Sequence, residues 1–377
     1  MDYNKQALDL HLQHKGKWTT QSKVTLKDKE DLATYYTPGV GAVSQVIAQD
    51  INKSWELTNR GNQVAIVSDG SAVLGLGKIG PEAAVPVMEG KAIIFKEFAG
   101  IDAVPLCIKV DQPDQIIEFC KQIAPSFGGI NLEDIAAPYC FDILQRLKNE
   151  LEIPVFHDDQ EGTAIVVLAA LINASLVVNK NLKELQIIIN GAGAAGLAIT
   201  HLLLDYGIKN ITVFDSQGAI GSHRNDLNKY KQLIIGKTNP DQIQGSLKQG
   251  IVGADVFIGV SKGKVLDQDM IRSMNNDSII FAMANPEPEI LPDLAYAAGA
   301  KIVGTGRSDF KNQINNALIF PGIFKGLLDN RIRKVMPVMK IKVAEAVASS
   351  LTPSSDQLLP LVTDKNIVKI IAQSFNK

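Results

Sequence analysis

The sequence has few cysteines and little net charge of either sign. Its three cysteines, Cys107, Cys120 and Cys140, are odd in number and lack the spacing of a zinc site, which indicates reduced thiols in a cytoplasmic protein. The formal net charge of −2 at pH 7 gives no general attraction to nucleic acid or to an anionic membrane surface. We therefore expect neither nucleic acid nor a membrane as a partner.

The sequence also lacks a long hydrophobic run. Its N-terminus has no apolar stretch of the kind that a signal peptide needs. The longest apolar segment, residues 164–178, has 15 residues, includes Asn173 and Ser175, and is shorter than the roughly 18 residues that suggest a membrane span. We interpret this segment as a buried helix.

Two adjacent carboxylates stand where the two halves of the chain meet. The joint is residues 155–164, VFHDDQEGTA, between a short apolar strand and the buried helix. Asp158 and Asp159 therefore lie at a strand end, where α/β sheets bind their ligands. Successive residues of an extended chain point in opposite directions, so one acid could bind a metal ion while the other faces a base. The plainer alternative is a helix cap and a solvated loop acid.

Four more polar residues occupy positions typical of a site, and each also has an ordinary explanation. Lys91 lies in an apolar, helix-length segment, where a lysine either is functional or extends its ammonium to water. Glu133 and Asp134 follow a predicted strand and could simply cap the next helix. Tyr36 precedes a predicted helix, and a lone tyrosine there is more often a packing aromatic with a hydrated hydroxyl.

The most specific motif is glycine-rich and lies between a predicted strand and a predicted helix. Its glycines match G-x-G-x-x-G, and Asp215 ends the next strand, 19 residues after Gly196. The glycines allow a tight turn and close approach of a pyrophosphate to the helix N-terminus, while the acid accepts hydrogen bonds from the ribose. We expect a nicotinamide dinucleotide to bind Asp215 and the residues of the turn, which are Gly191, Ala192, Gly193, Ala194, Ala195 and Gly196.

The alternation of strands and helices predicts the α/β class. The predicted strands lie at residues 64–67, 103–110, 153–156, 185–190, 211–215, 254–260, 278–284 and 301–304. We expect an N-terminal α/β substrate domain over residues 1–155, a C-terminal Rossmann-like, doubly wound dinucleotide-binding domain over 156–340, and a helical segment over 341–377. A chain of 377 residues is long enough to bury two cores.

Eight motifs occur here in the order in which the malic enzymes have them. They are YTPGV, VLGLGKIG, MEGKA, INLEDI, VFHDDQEGTA, GAGAAG, ANPEPEI and INNALIFPGIF. Over almost its full length the chain therefore resembles the short bacterial form of that family. The resemblance implies oxidative decarboxylation of L-malate to pyruvate and CO2 with reduction of NAD, a divalent metal ion, decarboxylation of oxaloacetate as well, and a homodimer.

The resemblance also implies a role for each candidate residue. The implied roles are base and acid (Lys91 and Tyr36), orientation of the base (Asp158), metal binding (Glu133, Asp134 and Asp159), cofactor contact (Asn285) and substrate contact (Lys91, Asn285 and Asn315). Three carboxylates without histidine or cysteine suit Mg2+ or Mn2+ better than Zn2+. A base needs a lowered pKa, which burial of a lysine favours and a neighbouring carboxylate opposes.

Two positions depart from the family pattern. Longer members have an arginine before the LGLG motif that grips a substrate carboxylate, whereas this chain has residues 71–73, Ser-Ala-Val, there. Asn285 and Asn315 are therefore the candidates to hold that carboxylate. Glu161 stands where many short forms have histidine, and we infer no change of reaction from it.

The residues around Asp215 predict the cofactor. Its charge would repel the 2′-phosphate of NADP, and no lysine or arginine follows at once to neutralise that phosphate. Arg224 is the nearest cation downstream, and a loop could bring it back to make a phosphate contact. We therefore expect NAD to be the better cofactor and NADP the weaker one.

Two other functions fit part of the sequence. A metal-independent amino-acid dehydrogenase can have the same two-domain arrangement, but it does not explain the three separated acids. An NAD-sensing protein without activity would need only the nucleotide fold, whereas Tyr36, Lys91 and the acids occur here together. Metal dependence of NADH formation separates the first of these from a malic enzyme.

Overall fold

The computed structural model of the chain describes residues 3–73 and 75–376. The helices are α1 (Tyr3–His14), α2 (Lys29–Tyr35), α3 (Val40–Gln49), α4 (Ser54–Leu57), α5 (Pro81–Ala99), α6 (Pro113–Ile123), α7 (Tyr139–Glu150), α8 (Thr163–Val177), α9 (Ala194–Tyr206), α10 (Lys229–Gln232), α11 (Leu247–Gly250), α12 (Gln268–Arg272), α13 (Pro292–Ala297), α14 (Phe320–Asp329), α15 (Pro337–Ala348) and α16 (Asn366–Gln373). The strands are β1 (Gln63–Ser68), β2 (Asp102–Cys107), β3 (Gly129–Leu132), β4 (Val155–His157), β5 (Ile187–Asn190), β6 (Ile211–Asp215), β7 (Gly218–Ala219), β8 (Val256–Gly259), β9 (Ile279–Ala282) and β10 (Ile302–Thr305).

The first sheet has four parallel strands in the order β2-β1-β3-β4. Its central strand β1 is apolar on both faces. Val64 and Ile66 belong to the core that includes α5, whereas Ala65 and Val67 belong to the core that includes α6 and α7. Helices thus cover both faces, which explains why this strand is a continuous apolar run without alternation. The strand predicted at residues 64–67 lies within β1, and the one predicted at residues 103–110 is β2, which ends three residues earlier, at Cys107.

The second sheet has six strands in the order β10-β9-β8-β5-β6-β7. All are parallel except β7, which pairs antiparallel with β6 at the edge and was not predicted. From β5 the chain passes to β6 on one side and later returns to β8 on the other. A doubly wound sheet binds its dinucleotide at such a reversal, beyond the carboxyl ends of the strands. The expected α/β class with a Rossmann-like second domain is confirmed.

The buried helix predicted at residues 164–178 is α8. The stretch Asp158–Val177 has the length and apolar composition of a membrane span, but 83% of its most apolar window is buried inside the protein. A helix that is apolar on all sides belongs in a core. Here α8 packs against α9 and α15 and forms the centre of the largest hydrophobic cluster.

The joint between the two sheets consists of β4 and one π-helical turn, Asp158–Gly162. The expected boundary between residues 155 and 156 lies inside β4, which belongs to the first sheet, and the one between 340 and 341 lies inside α15. We propose His157 as the last residue of the first domain. Because α14 packs against both α16 and α5, the C-terminal part of the chain returns to that domain.

The N-terminal helices leave apolar side chains exposed. None of the residues of α1, α2 and α3 is buried. Clustered exposed apolar side chains mark contact surfaces for other chains. We call this region the N-terminal apolar surface, and its exposed side chains are Tyr3, Leu8, Leu10, Leu12, Val24, Leu26, Leu32, Tyr35, Tyr36, Val40, Val43 and Val46.

Candidate active site

Lys91 is buried on α5 and is held by two carboxylates from other elements. Its Nζ lies 2.7 Å from Oε1 of Glu133, and it also donates to Oδ2 of Asp158. The ammonium lies 4.4 Å from the ring centroid of Phe320, a cation–π distance. Only 8% of Lys91 is exposed, so its ammonium does not extend to water. The structure therefore brings together Lys91, Glu133 and Asp158, although Lys91 and Asp158 are 67 positions apart in the sequence.

Three acids converge on one point beside Lys91. One carboxylate oxygen from each of Glu133, Asp134 and Asp159 lies within 4.8 Å of the other two. The backbone N–H of Asp134 donates to Oδ2 of Asp159 at 2.8 Å, which ties the end of β3 to the turn after β4. Asp134 has a φ of +54°, in the left-handed region, and this turn lets two successive side chains reach the same point.

Asp158 and Asp159 have different partners, as their adjacency led us to expect. Asp158 accepts from Lys91, whereas Asp159 faces the carboxylates of Glu133 and Asp134, which directly follow β3. The π-helical turn is tight at this point, because a Cβ on Gly162 would lie 2.0 Å from Oδ1 of Asp158. A glycine at position 162 is therefore required for Asp158 to reach Lys91.

The cluster holds more negative than positive charge. Burial raises the pKa of Asp158 and the pKa of Glu133 to about 7. Burial alone would lower the pKa of Lys91, but Asp158, Glu133 and Asp159 outweigh it and raise that pKa above its ordinary value. In this arrangement Lys91 keeps its proton. The sequence alone could not tell whether burial or the neighbouring carboxylates would dominate the pKa of Lys91, and in the structure the carboxylates do.

The donor set fits a divalent metal ion. Four carboxylates face one ammonium, a formal charge of −3, which a divalent cation would reduce to −1. Carboxylate oxygens suit Mg2+ or Mn2+. Glu133, Asp134 and Asp159 are thus placed to hold such an ion.

The glycine turn after β5 has the shape that a dinucleotide requires. Gly191 has a φ of +126°, and a Cβ on Gly196 would lie 1.6 Å from the carbonyl oxygen of Gly191, so both positions need glycine. A Cβ on Gly193 would meet no atom within 4 Å, so this stretch of backbone is open to a ligand. Helix α9 begins directly after it, at Ala194, with its N–H groups facing the same space.

Asp215 ends β6 as predicted, but two cations bind it. Its Oδ1 accepts from Nη1 of Arg224 and its Oδ2 from Nζ of Lys231, each at 2.6 Å. Burial would raise the pKa of Asp215, but hydrogen bonds from these two residues outweigh it and lower that pKa. Arg224 folds back as the sequence allowed. The sequence did not predict the second partner of Asp215, Lys231, which lies 16 residues downstream.

Comparison with known protein families identifies the family of the chain. The domain described as "Malic enzyme, N-terminal domain" matches residues 15–113 and 110–148, and the one described as "Malic enzyme, NAD binding domain" matches residues 160–375. The chain belongs to the malic enzyme family. The resemblance found in the eight motifs is therefore confirmed.

Individual malic enzymes are similar over the whole chain. The bifunctional malic/malolactic enzyme of Bacillus subtilis (strain 168) is 51% identical over 381 residues, covering 100% of this chain and 93% of that protein. The NAD-dependent malic enzyme of Geobacillus stearothermophilus is 51% identical, covering 95% of this chain and 76% of that protein. The crystal structure of an NAD-dependent malic enzyme from Thermotoga maritima has a TM-score of 0.95 at 48% identity and covers 98% of both chains.

The residues expected to contact substrate in a malic enzyme lie on the ligand side of the second sheet. Asn285 follows β9, and its backbone oxygen would be 2.0 Å from a Cβ on Gly75, so a loop of the first domain presses on it. Asn285 therefore lies where the two domains meet. The side-chain oxygen of Asn315 accepts from the N–H of Ala317 at 2.8 Å, and no acceptor within residues 3–73 and 75–376 binds its amide N–H groups.

Tyr36 stands apart from the buried cluster of this malic enzyme. It follows α2 on the N-terminal apolar surface and is 66% exposed. Within residues 3–73 and 75–376, no hydrogen bond or ring contact joins Tyr36 to Lys91. The single chain does not bring together the acid and the base that the resemblance implies.

Three features of the site were missed from the sequence. Phe320 lies against the Lys91 ammonium, and Asn131 donates to Oε2 of Glu133 at 3.0 Å. Both stand inside family motifs, INNALIFPGIF and INLEDI, which was the available signal. Glu161 is the third, because it is buried and binds Lys148 and Lys340 at 2.6 and 3.2 Å. It thus joins the joint to α7 and α15.

We predict that Glu161→Gln lowers the free energy of unfolding by about 3 kcal/mol at pH 7, because it leaves two lysines without their buried anion. Burial would raise the pKa of Glu161, but Lys148 and Lys340 lower it to about 2. The carboxylate therefore stabilises the fold above its ordinary pKa of 4.5, and this contribution is lost as the pH falls towards 2. Denaturant unfolding between pH 7 and pH 3 measures the effect.

The contribution of Glu161 is isolated by a surface control. Glu118→Gln removes an acid that pairs with Lys121 on the exposed face of α6, and it should change stability by less than about 1 kcal/mol. Equal stabilities of the Glu161 and Glu118 variants at pH 7 would contradict the structural role of Glu161.

Proposed function

We propose that the protein oxidises and decarboxylates L-malate to pyruvate and CO2, with NAD as the hydride acceptor and a divalent metal ion at Glu133, Asp134 and Asp159. The observation that carries the proposal is the buried Lys91, which is hydrogen-bonded to Asp158 and lies 2.7 Å from a carboxylate of the acid cluster. This set stands at the joint between a substrate domain and a dinucleotide domain. The family membership supports the same reaction.

The reaction sets the tasks of the chain's own residues. Malate loses its C2 hydroxyl proton and a hydride to give oxaloacetate, which loses CO2 as electrons move towards the C2 carbonyl. When bound, the metal ion would polarise the C2 oxygen and the nicotinamide would take the hydride. Lys91 is placed to accept the hydroxyl proton, and Asp158 holds its Nζ in position.

Lys91 must lose its own proton before it can act as a base. The acids that face the metal position, Glu133 and Asp159, are among those that raise its pKa. Neutralising them would remove two of the charges that raise the pKa of Lys91, while burial, which lowers the pKa of a lysine, would remain. Burial raises the pKa of Asp158 to about 7, so this carboxyl, which is hydrogen-bonded to Lys91, is a better proton acceptor than an exposed aspartate. We therefore assign the base to the pair rather than to the lysine alone.

We propose that the substrate carboxylates are held by neutral amides. Asn285 and Asn315 are the candidates, since the position before LGLG lacks the arginine of longer members. Tyr36 remains our proposed acid for protonating the product carbon. Because a phenol in contact with bulk water is a poorly directed proton donor, we propose that the exposed Tyr36 is covered in the working enzyme.

We propose NAD as the better cofactor and NADP as the weaker one. Asp215 still offers carboxylate oxygens to the ribose hydroxyls. Arg224 and Lys231 balance part of its charge, so repulsion of a 2′-phosphate is smaller than the acid alone predicts. Mg2+ and Mn2+ fit the three carboxylates equally well, and the three free cysteines agree with a cytoplasmic location.

An absorbance assay for NADH tests the proposed function. L-malate, Mn2+ and NAD should give NADH, and NADP should give a lower catalytic efficiency. NADH formation from an amino acid without metal would favour the dehydrogenase alternative. Nucleotide binding with no turnover of any substrate would favour the sensing alternative.

We predict a homodimer in which a second copy covers the N-terminal apolar surface. One chain has a mass of 40.8 kDa. Sedimentation velocity at micromolar concentration should give a species of twice that mass. Leu12→Glu should weaken the dimer, because it places a charge on this surface, where Leu12 is 78% exposed. Cover by a second copy would also shield Tyr36 from water.

A matched control separates the interface from general surface effects. Leu361 is 67% exposed and does not belong to the N-terminal apolar surface, so Leu361→Glu should leave the dimer intact. A wild-type protein that sediments as a monomer would refute the assembly.

A further inference from the structure

We propose that Glu289 is a positioning residue for the nicotinamide half of the dinucleotide and acts through the backbone of the loops that follow β8 and β9. The inference deepens the proposed function and rests on it, since it assumes that NAD binds at the reversal between β5 and β8. Glu289 is the last acid of the motif ANPEPEI.

Glu289 ties two strand ends together. It is completely buried, and its two carboxylate oxygens have different donors. Oε1 accepts from the N–H of Ser261 at 3.3 Å, and Oε2 accepts from the N–H of Ala284 at 3.0 Å. Ser261 lies two residues after β8, and Ala284 lies two residues after β9. One carboxylate therefore fixes the spacing of two neighbouring loops on the ligand side.

The same contacts reach the rest of the crevice. Asn190 donates to Oγ of Ser261 at 2.8 Å, and Asn190 is the last residue of β5, directly before Gly191. Asn285, a candidate for substrate contact, directly follows Ala284. Movement of Glu289 would thus shift both the loop beside the glycine turn and the loop that carries Asn285.

The surroundings of Glu289 bind its carboxylate through backbone N–H groups. A Cβ on Gly259 would lie 2.3 Å from Cδ of Glu289, so a larger residue at that position would displace it. Within the described ranges, 3–73 and 75–376, no lysine, arginine or histidine forms an ion pair with Glu289; its two hydrogen bonds come from backbone N–H groups. A buried carboxylate without a cation costs folding free energy, and such groups are retained most often at functional sites.

The position of Glu289 in the sheet assigns it to one half of the ligand. A doubly wound domain binds the halves of a dinucleotide on opposite sides of the strand reversal. Asp215, at the end of β6, marks the adenosine side, so β8 and β9 mark the nicotinamide side. Loss of Glu289 should therefore weaken binding of the whole dinucleotide and spare binding of its adenosine half.

Calorimetric titration of the full-length protein with NAD and with AMP, which contains the adenosine half alone, tests the proposal. Glu289→Gln keeps the size of the side chain, but its NH2 group faces one of the two backbone donors. We expect Kd for NAD to rise about tenfold, while Kd for AMP changes less than about twofold. Glu289→Asp keeps the charge, shortens the side chain and should give the same pattern with a smaller loss.

Glu287→Gln is the matched control. Glu287 lies two residues away in the same loop, is exposed, and binds Lys264 at 2.8 Å on the surface. This variant should bind NAD and AMP as the wild type does. Unchanged NAD affinity in both Glu289 variants, or an equal loss of NAD and AMP affinity, would overturn the proposal, since a purely structural role weakens both ligands. Wild-type protein that binds NAD without oxidising malate would contradict the proposed activity alone.

Discussion

Alanine in place of Lys91 should lower kcat/KM for malate oxidation by about a thousandfold, the middle of the range for loss of a general base. The hydroxyl proton then has no acceptor at the position where Asp158 and Glu133 now hold an ammonium. Steady-state kinetics with saturating NAD and Mn2+ measure the loss. Binding of NAD should change little, because the glycine turn is on the other domain.

Two further variants test whether loss of activity in Lys91→Ala comes from the missing amine. Lys91→Met keeps the apolar stem of the side chain and should be equally inactive, which separates lost chemistry from lost packing. Lys96 lies on the same helix, is exposed, and binds Asp102 at 2.7 Å, so Lys96→Ala should retain normal turnover. Turnover near the wild-type rate in either Lys91 variant would contradict the assignment of the base.

Removal of one carboxylate from the acid cluster should weaken metal binding. Asp159→Asn and Glu133→Gln each replace an anionic oxygen donor by a neutral one. The Kd for Mn2+ should therefore rise by about tenfold to a hundredfold. Activity should fall in parallel, and excess Mn2+ should restore part of it. Calorimetry with Mn2+ gives Kd independently of turnover.

The control for metal binding is an exposed acid outside the cluster. Asp114 pairs with Arg146 on the surface, and Asp114→Asn should leave Kd for Mn2+ unchanged. A strong chelator should abolish wild-type activity. Full activity of the wild type in the chelator, or unchanged Mn2+ affinity in both cluster variants, would rule out the metal site.

The family resemblance implied that the three acids share a metal ion, and the topology of the sheet explains why they converge. Parallel strands end at the same edge of a sheet, so acids that follow β3 and β4 meet once the two strands are neighbours. The glycine turn could be predicted from the residues alone. The backbone there is constrained so tightly that only glycine fits at Gly191 and Gly196, and this requirement is visible in the sequence.

The partners of charged side chains could not be predicted, because tertiary packing decides them. Asp215 is bound by Lys231 from a short helix 16 residues on, and Glu161 is bound by Lys340 from a helix 179 residues on. No local pattern specifies such pairs. The sign of the pKa shift of Lys91 had the same origin, since it depends on how many carboxylates reach the ammonium.

The place of Tyr36 shows a further limit. A motif identifies a residue type and its neighbours in sequence, but the exposure of Tyr36 on the N-terminal apolar surface depends on what covers that surface. A single chain does not specify this cover. The role of Tyr36 therefore stays a proposal tied to the assembly.

The central claim, that one site both oxidises malate and removes its C4 carboxylate, is tested most directly with L-malate labelled with 13C at C4. With NAD and Mn2+, the wild type should release the label as CO2, leave pyruvate unlabelled, and form NADH in a one-to-one ratio with CO2, while Lys91→Ala forms neither. Labelled oxaloacetate with NADH but no CO2, or labelled CO2 with lactate and no net NADH, would contradict the account.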